Sequence, residues 1–182
     1  RVQLERRQRM VAGDRTPHAI LFSGPSGTGK GFIARNLAAA LLAEVPPAEQ
    51  SSETVQRLVL RGNHPDLHLL SAEEGKKDIA VDQVRELSNA LVLKPYSASC
   101  TVVIIDDAHR MNQAASNALL KTLEEPTGSS FLFLITDAAH RLPATILSRC
   151  QTIHFGQLSD KDVETILSRL LEDGPSPAEI KS

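Results

Sequence analysis

Apolar residues fall along this chain in two alternating rhythms. Short unbroken runs read as strands, and longer stretches in which they recur every third or fourth position read as helices. Ala19–Ser23 (AILFS), residues 101–106 (TVVIID) and residues 131–136 (FLFLIT) are continuous enough to be strands covered on both faces. Residues 66–70 give a second strand in chain order, set up by His64-Pro65, because proline holds the residue before it in extended geometry. Residues 152–155 give a fifth, shorter strand.

Helices fill the intervals. Phe32, Ile33, Leu37, Ala40 and Leu41 mark one face of a helix closed by Pro46-Pro47. A short helix is expected around residues 55–60, after a polar stretch, and residues 71–78 are a charged loop. Val84, Leu87 and Leu91 mark a helix with Asp82 as its N-cap, ending before Pro95. Residues 112–125 place Ala115, Ala118, Leu119 and Leu123 on one side and stop at Pro126. Pro143 opens a short helix running into Ser148-Arg149-Cys150. Strands alternating with helices in this way mean right-handed crossovers and a parallel sheet. The arginine-studded residues 1–14 read as a helix lying on this domain, and Ser159-Asp160 begin another on Val163, Ile166, Leu167 and Leu170.

Composition narrows the class. The 182 residues suit one α/β domain and the beginning of a second, divided here as residues 1–156 and 157–182. A net charge of −2 argues against strong nucleic-acid binding by the chain alone. No apolar run approaches membrane-spanning length. Cys100 and Cys150 have no paired spacing, which favours a reducing, cytoplasmic setting over a disulfide. Aromatics are only 3% of residues, so Leu, Ile, Val and Ala must build the core.

The candidate chemistry lies where the first strand meets the first helix. Gly24, Gly29 and Lys30 stand at phosphate-loop spacing, with Gly27 between them, in SGPSGTGKG. Such a loop aims backbone N–H groups and a helix N-terminus at phosphate oxygens, and the lysine reaches the outer phosphates. The following residue normally gives Mg²⁺ a hydroxyl, and here it is Gly31. Asp106 and Asp107 close the third strand as a metal-orienting acidic pair, but Asp107 is one methylene shorter than the glutamate that places the attacking water. Thr136, ending the next strand, is positioned to meet the γ-phosphate region from the side. The site therefore reads as a degenerate nucleotide site, taking ATP, ADP or phosphate weakly and largely without metal. A reactive role for Cys150 would need an exposed, electropositive setting. Neither the histidines nor the cysteines have zinc spacing, and no zinc is expected.

Taken together, HAILFSGPSGTGK, NHPDLHLL, VVIIDDAHRMNQAASNALLKTLEEP and TILSRC resemble the clamp-loader subunits of bacterial DNA polymerase III, on their delta-prime branch. The resemblance implies an AAA+ module with strand order 5-1-4-3-2, the start of a small helical lid domain, and a fragment lacking the C-terminal collar. It implies a ring whose other members are gamma/tau-like motor subunits and a delta-like subunit, acting on a sliding clamp and primer-template DNA. It also implies a stator that does not hydrolyse ATP, with Arg149 of Ser148-Arg149-Cys150 as an arginine finger reaching a neighbour's site. Many relatives carry a four-cysteine zinc module before the His-Pro-Asp motif, whereas residues 44–63 have no cysteine. The competing reading is a working AAA+ ATPase, either a clamp-loader motor or a helicase type. A small-molecule kinase would need an arginine-rich lid, for which there is no segment.

Overall fold

The computed structural model describes residues 17–44, 51–126 and 129–157. Five parallel strands are built in: β1 (Ala19–Ser23), β2 (Leu67–Leu70), β3 (Thr101–Ile105), β4 (Ser130–Thr136) and β5 (Gln151–His154). Their order across the sheet is β2-β3-β4-β1-β5, so the expected 5-1-4-3-2 arrangement is observed. The helices are α1 (Lys30–Leu42), α2 (Ser52–Leu60), α3 (Val81–Val92), α4 (Gln113–Glu124) and α5 (Ala144–Leu147).

The sheet divides the core in two because neighbouring strand residues point to opposite faces. Ala19, Leu21, Val103, Ile105, Leu132 and Leu134 pack with Val84, Leu87 and Leu91 of α3 and with Leu119 and Leu123 of α4. Ile20, Phe22, Val102, Ile104, Phe133 and Ile135 pack with Leu37 and Leu41 of α1 and with Val55 and Val59 of α2. β1 and β3 are buried throughout, as their unbroken apolar runs require, whereas the edge strand β5 is exposed at both ends and half-buried between them.

Several expectations are corrected. Asp82 is not the N-cap of α3: Ala80 is, and its N–H is satisfied by the Gln83 side chain at 2.9 Å. Asp82 instead sits in the first turn, where its negative charge suits the helix dipole and pairs with Arg85 at 3.2 Å. Phe32 does not join the buried face of α1 but is 68% exposed. The strand at Asp66 begins one residue later, because the Asp66 carboxylate turns to cap the 96–98 loop. Strand β3 stops at Ile105, leaving Asp106 and Asp107 in the turn beyond it. Helix α2 starts earlier than expected, on the Ser51 cap, whose hydroxyl accepts from the Thr54 N–H at 3.2 Å. The helices expected over residues 1–14 and after Ser159, the Pro46-Pro47 stop and nearly all of the lid segment lie outside the described residues.

Candidate functional site

The loop between β1 and α1 is folded by two glycines with different tasks. Gly24 has φ 155°, and a Cβ there would stand 2.2 Å from the Phe155 carbonyl oxygen, so no other residue fits against β5. Gly29 is the left-handed cap of α1, at φ 82°. The loop is held to β4 by the Gly24 N–H, which donates to the Thr136 carbonyl at 3.2 Å. Lys30 is buried at 7% exposure, and its ammonium donates to the carbonyls of Gly24 and Pro25 at 2.8 and 2.7 Å. The lysine thus closes the loop on itself, with its charge beneath the hollow that the loop encloses.

That hollow, about 400 Å³, is lined by Gly27, Gly29, Lys30, Gly31, Asp106, Asp107 and Thr136, together with Ser26, Ile135 and Asp137. Parallel pairing brings these residues to one edge of the sheet: Ser23 lies level with Thr136, and Ile105 with Leu134. Gly24 shapes the loop from behind. The donor set suits a phosphate and suits Mg²⁺ poorly, since Gly31 has no side chain and Asp106 uses one oxygen to accept the Asp107 N–H at 3.0 Å. Asp107 has φ 48°, in the left-handed region, and its carboxylate lies 3.7 Å from Arg110 Nη1. Arg110 is itself tied to the carbonyls of Lys76 and Lys77.

Thr136 is fully buried and part of a small network that sequence reading missed. Its Oγ1 accepts from the Ala138 N–H and faces His109 Nδ1, both at 3.1 Å, and the same His109 nitrogen lies 3.3 Å from the Asp137 carboxylate. A histidine just beyond an acidic pair at a strand end was the available signal.

Arg149 is nowhere near this hollow. It precedes β5, at the opposite edge of the sheet, and its guanidinium donates to Glu124 at 2.6 Å and to the Thr145 carbonyl at 2.9 Å. Ser148 caps the short α5 turn, donating to the Thr145 carbonyl at 3.1 Å. Burial pushes the Cys150 thiol up to about 11, so it is not a nucleophile near neutrality. Burial does the same to Cys100, also to about 11. No described helix is long and apolar enough to cross a membrane.

The doubly covered parallel sheet, its strand order and the glycine-rich loop define a P-loop module of the AAA+ type. A solved gamma-subunit-related protein of DNA polymerase III from Thermotoga maritima has the same fold, with TM-score 0.68 and 24% identity, over 94% of this chain and 52% of that one. Residues 2–159 match the family model described as DNA polymerase III, delta subunit, and the chain belongs to that family. It is 43% identical over 135 residues to DNA polymerase III subunit delta' of Pseudomonas aeruginosa, covering 73% of this chain and 41% of that protein. It is 32% identical over 157 residues to subunit tau of Bacillus subtilis, covering 85% of this chain and 27% of that protein. The chain therefore spans less than half the length of either relative.

Proposed function

We propose that the protein is a stator-like accessory subunit of the DNA polymerase III clamp loader, helping to load the sliding clamp onto primer-template DNA. It assembles with gamma/tau-like motor subunits and a delta-like subunit. Its own phosphate loop takes ATP, ADP or phosphate weakly and does not hydrolyse, and Arg149 acts on the γ-phosphate of a neighbouring motor subunit. The observation that carries this reading is the position of Arg149. β1 separates it from the hollow by its whole length, roughly 15 Å at about 3.3 Å per residue. The arginine cannot serve its own loop, yet its side chain is partly exposed, at 35%, on a hydrogen-bonded turn. A permanently charged planar guanidinium is the group suited to charge spread over phosphoryl oxygens.

The test is DNA- and clamp-stimulated ATP turnover by an assembly rebuilt with the full-length protein and one competent neighbouring motor site. Arg149→Ala should slow that site by roughly 10³–10⁵-fold, equivalent to about 4–7 kcal/mol, and Arg149→Lys should rescue little because an ammonium lacks the planar fork. Unchanged turnover by a correctly assembled Arg149→Ala complex would reduce this residue to a turn-fixing arginine. The second reading, a working ATPase, draws on the intact Lys30 loop and on Thr136 at its rim. Steady turnover by the full-length protein alone, abolished by Lys30→Ala, would establish it over the stator reading.

A further inference from the structure

Glu124 ends α4, where the helix's free carbonyls make a carboxylate unwelcome. Lys121 adds a cation to the same last turn, but the ion pair of Glu124 comes from outside the helix, from Arg149 Nη2 at 2.6 Å. On the other arm of the guanidinium, Nη1 donates to the Thr145 carbonyl at 2.9 Å and lies 3.4 Å from Ser148 Oγ. A guanidinium has five N–H donors in one plane. Contacts on both terminal nitrogens therefore fix the plane and leave further N–H groups to meet a ligand. Thr145 and Ser148 are local, within α5 and its cap, and would suffice to tie a turn. The carboxylate reaches in from a different helix, and α4 loses the ion pair at its unfavourable end whenever Arg149 leaves it.

We infer that Glu124 is a positioning residue for Arg149, holding the guanidinium plane in the orientation that presents it to a neighbouring subunit's phosphate. This rests on the reading of Arg149 as acting in trans. A charge-assisted bond orients the fork before the partner arrives, so less freedom is lost on engagement.

The experiment compares Glu124→Ala, Glu124→Gln, Arg149→Ala and the Glu124→Ala/Arg149→Ala double variant of the full-length protein, each assembled with one competent motor site. Glu124→Ala should lower kcat by about 10- to 100-fold, the scale of a misplaced group, with KM for ATP unchanged within about twofold. Glu124→Gln keeps an accepting oxygen and should recover part of that loss. The double variant should be no slower than Arg149→Ala, because Glu124 acts only through the arginine. Glu124→Ala turning over at or above the unsubstituted rate, alongside a slow Arg149→Ala, would overturn the inference, as would losses that multiply in the double variant. An Arg149→Ala assembly at full rate would instead remove the trans reading, and the inference with it.

Discussion

Nothing stands within 4 Å of where a Cβ would sit on Gly31, so a serine there needs no rearrangement of the loop. Gly31→Ser should stabilise α1 by about 0.5 kcal/mol through helix propensity alone. It should also make ADP binding Mg²⁺-dependent by calorimetry, whereas the parent is proposed to bind weakly and largely without metal. Binding that stays metal-independent in the variant would mean that the missing hydroxyl is not what weakens the metal site. Repair is not symmetric, because Asp107 occupies a left-handed conformation that aspartate tolerates better than glutamate does. At Gly24 the constraint is absolute: Gly24→Ala drives a methyl into the backbone of Phe155 and should cost about 3 kcal/mol in urea denaturation.

Just before β2, the His-Pro-Asp turn of residues 64–66 acts as a clamp on the loop that enters β3. Burial alone would raise the Asp66 carboxyl, but N–H donors from Tyr96, Ala98 and Ser97 and the Ser97 hydroxyl outweigh it and hold the group below its usual range. Burial lowers the His64 ring despite the Asp66 charge nearby, and His64 Nδ1 accepts the Asp66 N–H at 3.1 Å. Both groups resist protonation when folded, so both make stability fall with acid. The histidine contribution is complete above about pH 6.5 and declines below it, and the aspartate contribution is lost as pH falls from about 4. His64→Asn keeps an acceptor for the Asp66 N–H and removes this titration, so its melting temperature should fall less between about pH 7 and pH 5 than the parent's does. An equal decline in both proteins would place the effect elsewhere. Such a clamp is invisible in sequence because its donors lie thirty positions from Asp66, at residues 96–98. The sheet was legible for the opposite reason: TVVII and FLFLI are apolar without interruption, and burial on both faces leaves little else for them to be. Phe32 misled because helical spacing counts positions and cannot see which side of the first turn faces the sheet: Lys30 and Ala34 are buried there and Phe32 is not. In the site, Lys30 was marked by its spacing from the glycines and Asp106 and Thr136 by adjacency to strand ends, whereas the Glu124–Arg149 pair joins two elements that no local pattern connects.

Across the whole molecule the sheet is the structural partition, and Phe133 stands at its centre, fully buried and edge-on to Phe22 with ring centroids 5.7 Å apart. Phe133→Ala should cost about 3–5 kcal/mol. The chain has no tryptophan, and its one tyrosine, Tyr96, is 87% exposed, so circular dichroism is the measurement to follow. A loss below about 1 kcal/mol would mean that this half of the core closes into the space that the ring leaves. The placement of the hollow and of Arg149 on opposite edges also gives the molecule a polarity. Contacts that join one edge of a subunit to the opposite edge of the next are heterologous, and they build directional arrays rather than two-fold pairs. A subunit that offers an arginine at one edge and holds a weakened loop at the other gives to its neighbour on one side and has little to receive on the other. On the proposed reading, such a subunit belongs at the end of a row. A string made wholly of copies of it would contain no working site at all.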